Sequence, residues 1–347
     1  MALAAVRRSS VSGQRVLENL LKDRGESLPI TDRIVSAAAE QRNNHALAID
    51  ILFEYRASLV VSERVLLAVF RNELWAIRII DRLVGKQVDI TVTETIMEAA
   101  VQNRMGYYII KCLLQYNIAF PVTEQIMLSA AMNTQGDDII KIFLQHQLDL
   151  VITEKVMTTI VRHLRYSIVL PLIEHISQYQ QDLPITEQVL ASATRNRTSA
   201  CDVVILLLQY QPRLSITEQV VATAAENALA GYDILMILSD YSADLPITEQ
   251  VLTMIAAAES SGTRIIEMLT MLLQHQEDMP ITEQVVETAA ANHAAGPNII
   301  KTVWQHQVNQ GKSLPVNKRL IRDAVWESRD KVEIRKFIKD AKKCTPA

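Results

Sequence analysis

The sequence predicts an all-α protein, an α-solenoid of about ten helix-pair repeats of roughly 31 residues each. Three observations carry this reading. The segment Leu245-Pro-Ile-Thr-Glu-Gln-Val-Leu252 returns along nearly the whole chain, its Thr position falling at Thr31, Ser62, Thr93, Thr123, Thr153, Thr186, Thr217, Thr248, Thr282 and, in degenerate form, Asn317. The intervals are 31, 31, 30, 30, 33, 31, 31, 34 and 35 residues, the size of units that cannot bury an apolar face alone and stack to do so. The composition is 49% hydrophobic but only 5% aromatic, with 9 Gly and 10 Pro, which suits helices packed through Ala, Val, Leu and Ile.

In chain order, residues 1–13 are polar and unpatterned and read as a disordered or frayed N-terminus. Residues 14–347 read as one solenoid, with an N-terminal capping helix in 14–30, repeats over 31–316 and a C-terminal capping unit over 317–347. Within each repeat the Thr is placed as a helix N-cap, its hydroxyl accepting from an otherwise unpaired backbone N–H. The Glu after it, as in Glu124, Glu187, Glu249 and Glu283, meets the positive end of the helix dipole. Pro184, Pro246 and Pro280 keep the previous helix from running on.

Counted from the Thr, positions +3, +4, +7 and +8 are apolar and share one face of the first helix, as Ile126, Met127, Ala130 and Ala131 do. On this register Ala224 lies on the stripe and Ala222 off it. Position +10 is Asn72, Asn103, Asn133, Asn196, Asn227 or Asn292, read as a left-handed helix end, and Gly follows at +13 or +14 to make a tight turn. The second helix ends on a Gln-(His/Tyr)-Gln theme. Its rings, Tyr55, Tyr116, His146, Tyr179, Tyr210, Tyr241 and His275, are expected to stack as a ladder.

A formal net charge of −4 and scattered basic residues argue against nucleic acid as a partner. Cys112, Cys201 and Cys344 lie far apart, without a C-x-x-C pair, and read as free thiols in a reducing compartment. The apolar start Met1–Val6 meets Arg7 and Arg8 too soon for a signal peptide, and no window of about 18 apolar residues suggests a membrane span. A cytoplasmic protein with no membrane contact is expected.

The sequence contains no metal-binding spacing, no catalytic motif and no cofactor fingerprint. Gly311-Lys312-Ser313 imitates the end of a phosphate loop, but His306 stands where the earlier Gly belongs. Candidate functional residues are therefore those where a unit departs from its own consensus. In the fifth unit His163 replaces the Asn, the Gly is absent, and Arg162, Arg165 and Tyr166 cluster in the turn. Its second helix holds Pro171, Glu174 and His175. In the second unit Phe70 replaces a small residue, and Trp75 and Arg78 follow it. Arg pairs bidentately with carboxylates or phosphates, and Trp and Tyr anchor interfaces. Arg162, His163, Arg165, Tyr166, Trp75 and Arg78 are thus candidate binding residues, and His163, Glu174 and His175 are the residues an acid–base reaction would use.

The units Ile281-Thr-Glu-Gln-Val-Val-Glu-Thr-Ala-Ala-Ala-Asn292 and Ile216-Thr-Glu-Gln-Val-Val-Ala-Thr-Ala-Ala-Glu-Asn227 resemble the short helical repeats of fungal proteins that lie beside ankyrin repeats or follow NACHT-type, NLR-like nucleotide-binding domains. The resemblance covers about Thr31 to Gln307. It implies an ankyrin-like helical interaction surface and no catalytic residues. The T-P-L-H signature, the Gly-rich hairpin and any nucleotide-binding module are missing, so helix pairs joined by plain loops are expected. The function expected is a non-catalytic scaffold or adaptor that binds another protein, or else a small acidic or apolar molecule, without cofactor. The alternative is an enzyme of fungal specialised metabolism, of cyclase or isomerase type, using the groove around the fifth repeat as a reaction chamber.

Overall fold

A computed structural model describes residues 1–7, 11–41, 48–55, 61–146, 150, 152–179, 183–242, 244–258, 262–275, 279–292, 295–312 and 315. The C-terminal capping unit expected over 317–347, with Asn317 and Cys344, lies outside these residues. The described chain is a succession of helix pairs: α1 (Ala2–Arg7) with α2 (Val11–Arg24), α3 (Asp32–Ala39) with α4 (Ala48–Tyr55), α5 (Glu63–Phe70) with α6 (Ala76–Gly85), α7 (Glu94–Gln102) with α8 (Gly106–Gln115), and α9 (Glu124–Met132) with α10 (Gly136–Gln145). There follow α11 (Glu154–His163) with α12 (Tyr166–Tyr179), α13 (Glu187–Ala193) with α14 (Ala200–Tyr210), α15 (Glu218–Ala225) with α16 (Gly231–Tyr241), α17 (Glu249–Ala257) with α18 (Gly262–His275), and α19 (Glu283–Ala291) with α20 (Gly296–Asn309). No strand occurs among the described residues.

The chain divides into two compact units, residues 1–159 with 171–180 and residues 160–170 with 181–347, so that every pair but α11 with α12 lies whole in one of them. In the first, α1, α3, α5, α7 and α9 pack in succession, and behind them α2 packs on α4 and α8 on both α6 and α10. In the second, α13, α15, α17 and α19 form one row and α14, α16, α18 and α20 the other. The +3, +4, +7 and +8 side chains form the core of both: Ile96, Met97, Ala100 and Val101 are fully buried, as are Val220, Val221 and Ala224. Burying each Val or Ile stabilises by about 1.5–3 kcal/mol relative to exposure. The longer intervals of 33 and 34 residues belong to the units whose second helices, α12 and α18, run to 14 residues.

Several expectations need correction. Residues 2–7 are not frayed: Ala2, Ala5 and Val6 are buried and α1 packs on α2 and α3, so the start is an additional helix pair without the Thr-Glu signature. Ala222 is buried rather than off the stripe, although Leu67 and Leu128 occupy its equivalent place in sibling units. Nor do Tyr55, Tyr116, Tyr210 and Tyr241 take part in the ring pairs seen among the described residues, such as Tyr107–Tyr108 and Phe120–Phe143. Instead Tyr116 donates to Asp81 at 3.0 Å and Tyr55 to Glu18 at 3.4 Å, each reaching back about one unit.

The Asn at +10 is not left-handed either, since Asn103 has φ −66° and Asn133 φ −71°. Its amide bridges units. Asn103 Nδ2 donates to the carbonyls of Phe70 (2.8 Å) and Asn72 (3.2 Å) in the preceding turn, while its Oδ1 accepts from the Met105 N–H at 2.8 Å. Asn72 and Asn133 repeat this in the first unit, and Asn227 and Asn292 in the second. Gln41 extends the ladder by donating to the Val6 carbonyl of the additional pair. In the eighth repeat Ala258 has no such amide, and Arg264 donates to the carbonyls of Ala228 and Leu229 instead.

Thr and Glu form a second ladder. The Thr93, Thr123, Thr153, Thr186 and Thr248 hydroxyls accept the expected cap bonds at 3.3–3.4 Å. Thr93, Thr123 and Thr248 also donate, at 2.6–2.8 Å, to Glu63, Glu94 and Glu218 of the preceding unit. The consensus Glu thus serves the helix dipole and the neighbouring cap together. The turn Gly is set by close approach: a Cβ on Gly231 would lie 2.7 Å from the Ala224 carbonyl oxygen.

Candidate functional site

In the fifth repeat α11 runs on through His163. Asn196 Nδ2 donates to Val161 O at 2.7 Å and Leu164 O at 2.8 Å, so Leu164, not His163, takes the place of the missing Asn as acceptor. One extra helical residue therefore moves His163 out of the ladder and onto an exposed surface beside the exposed Arg162. Both lie in the last helical turn, where cations are favoured by the dipole. The His163 imidazole titrates below its ordinary value, first because the helix end partly desolvates it and second because Arg162 repels its charge.

Arg165 is exposed in the turn, and Tyr166, half-buried, opens α12. Arg162, His163, Arg165 and Tyr166 all belong to the second compact unit, whereas Glu174 and His175 belong to the first. In α12 Glu174 is exposed and its carbonyl accepts from the Ser177 hydroxyl; His175 is half-buried.

Trp75 and Arg78 come together in the first unit. The Arg78 guanidinium lies 5.7 Å from the Trp75 ring centroid, and its Nη2 donates to Asp50 Oδ2 at 2.7 Å. Arg82 Nε stands 3.6 Å from the other Asp50 oxygen. Asp50 is 8% exposed, and such a buried carboxylate requires a paired cation. This constellation ties α4 to α6, and the fully buried Phe70 fills the core at the end of α5.

Sequence reasoning missed a cleft of about 710 Å³ in the first unit, between the loop after α6 and the loop after α8. Val88, Ile90, Ile118, Phe120 and Pro121 give it an apolar wall, and Asp89 and Tyr116 are its titratable side chains. Each loop starts from a left-handed residue, Gln87 (φ 57°) and Asn117 (φ 54°). The next N–H then closes onto the helix, Val88 to Leu83 O at 3.1 Å and Ile118 to Leu113 O at 2.9 Å. The available signal was the polar residue that follows the recurring ring, since Asn117 after Tyr116 is this helix-ending position.

The remaining chemistry is sparse. Cys112 and Cys201 are free thiols. The Cys112 thiol donates to Asp81 Oδ1 at 3.6 Å and is pushed up to about 12, by burial first and then by the Asp81 charge. Among the described residues no group of His, Cys, Asp and Glu assembles as a metal-binding cluster, and no helix is long and apolar enough to cross a membrane.

The chain is similar to a domain of unknown function, DUF7104, whose family model matches residues 20–44, 205–234 and 271–299. Each matched stretch holds the end of one second helix, the loop with the Thr cap and the following first helix. No curated protein matches the chain, and no solved structure does.

Proposed function

We propose that this chain is a non-catalytic interaction scaffold of the cytosol whose partner is another protein. One observation carries the reading. The recurring polar residues Thr, Glu and Asn are occupied in holding unit to unit, while large apolar side chains stay exposed in the turns and at a first helix's end: Leu74 is 59% exposed, Leu229 61%, and Met132, the last residue of α9, 69%. Single exposed apolar side chains are ordinary on a protein surface; what supports the reading is that Leu74 and Leu229 recur at the same place in the turn of two repeats. The open cleft between the loops after α6 and α8 adds a concave surface with an apolar wall. The resemblance to fungal helical repeats that accompany ankyrin and NACHT-type domains supports the same reading.

The test is incubation of the purified chain with a small-molecule extract of its source, followed by mass spectrometry of the extract. The scaffold leaves every metabolite unchanged. Consumption of a metabolite that stops in His163→Ala, with helix content preserved, would replace the scaffold with an enzyme centred on the fifth repeat.

A further inference from the structure

Among α6, α8, α10, α14, α16 and α20, one position separates two helices from the rest. Five residues after the small residue that opens the helix stand Asp81, Lys111, Lys141 and Lys301, all exposed. The same position in α14 is Ile205, 39% exposed, and in α16 it is the half-buried Met236. An exposed charged side chain has been exchanged for an apolar one twice in succession, on helices that pack side by side.

The exchange opens two grooves. Between α14 and α16, about 330 Å³ is lined by Ile205, Leu208, Ile237 and the Tyr241 ring. Between α16 and α18, about 450 Å³ is lined by Tyr232, Met236, Ile266 and Met271. Methionines of this kind adapt to the shape of a docked apolar surface. The rim is charged with one sign: Asp202, Asp233, Asp240 and Glu267 are exposed on these helices, against Arg264 as their one Lys or Arg. By contrast α6, α8 and α10 carry Arg78, Arg82, Lys111 and Lys141 beside Asp81, Asp137 and Asp138.

Resting on the scaffold reading, we propose that the outer face of α14, α16 and α18 docks an amphipathic α-helix of a partner protein whose apolar stripe is flanked by Lys or Arg. Apolar residues at helical spacing enter the grooves between α14, α16 and α18, and the flanking cations meet the acidic rim. The charge of the rim repels nucleic acid and anionic membranes. At 1.5 Å per residue, α16 matches a partner helix of about 11–14 residues.

The experiment is fluorescence anisotropy of the full chain with a labelled Leu/Lys peptide of about 14 residues patterned as an amphipathic helix. A Leu/Glu peptide of the same pattern and a scrambled Leu/Lys peptide are run beside it. The patterned Leu/Lys peptide is expected to bind at least about ten-fold more tightly than either control. Binding should fall by a similar factor in Ile205→Lys/Met236→Lys, which restores the residue that sibling helices carry. A second variant, Asp202→Lys/Asp233→Lys, changes exposed carboxylates that line neither groove, so it reads the charged rim alone and should weaken the same peptide. Equal binding of the three peptides, retention of full affinity by both variants, or no binding at all overturns the proposal. So does sedimentation showing a dimer that the Ile205→Lys/Met236→Lys change dissociates, because the occupant would then be a second copy. Each of these leaves the scaffold reading standing on the turn edges, whereas metabolite consumption removes that reading directly.

Discussion

Replacing Asn103 by Ala removes one rung of the inter-unit ladder. The side chain is 5% exposed and makes three hydrogen bonds, of 2.8, 3.2 and 2.8 Å. At about 0.5–1.5 kcal/mol net for each, the loss is about 3 kcal/mol, since Ala leaves two carbonyls and one N–H without this partner. Asn103→Asp separates the two halves of the rung. It keeps the acceptor for the Met105 N–H but turns a carboxylate toward the Phe70 and Asn72 carbonyls, so it should cost at least as much as Ala. Repeat arrays need not unfold in one step, so two readouts are required: the urea midpoint by circular dichroism and hydrogen exchange at the Met105 amide. Both variants should lower the midpoint, but only Ala should speed Met105 exchange. The reasoning fails if Asn103→Ala costs less than about 0.5 kcal/mol, the range of an exposed substitution such as Gln102→Ala, or if Asn103→Asp is as stable as the parent.

Three further expectations follow from the backbone and the buried thiol. Gly231→Ala places a Cβ 2.7 Å from the Ala224 oxygen and should destabilise by about 1–3 kcal/mol, whereas Gly85→Ala, with nothing within 4 Å, should stabilise by about 0.4–1 kcal/mol; thermal melts of the pair check both signs. Gln87 holds φ 57°, so Gln87→Gly should raise the urea midpoint by the equivalent of about 0.5–1 kcal/mol, and an unchanged or lowered midpoint would count against a strained loop start. Cys112 in the folded chain titrates at about 12, above its ordinary value of 9.0, so the neutral thiol stabilises the fold below pH 9 and that contribution is lost as pH rises from 9 toward 12. The midpoint should therefore fall more steeply above pH 9 in the parent than in Cys112→Ala, and parallel profiles would contradict the burial argument.

The periodic core was legible because burial repeats with the helix: Ile96, Met97, Ala100 and Val101 announce their face by spacing alone. The role of Asn103 was not, because spacing marks where a helix ends but not that an amide reaches back 31–33 residues to two carbonyls. His163 was misplaced for a related reason. The fifth repeat carries extra residues, and aligning it on Thr153 cannot tell a substituted Asn from a helix one residue longer, as α11 is. The first pair escaped notice because α1 lacks the Thr-Glu start that identified the others. Of the candidate binding residues, Arg78 is tied down by the buried Asp50, a partner 28 residues before it that no local pattern indicates.

The measurement that bears most directly on the scaffold is a native mass spectrum of the tagged chain recovered from an extract of its source. It is run beside a variant with Leu74, Met132 and Leu229 each changed to Ser and helix content unchanged. A stoichiometric polypeptide is expected bound to the parent and lost or weakened in the variant. A small-molecule adduct without a polypeptide, held equally by parent and variant and released by His163→Ala/Arg165→Ala, would contradict the scaffold reading.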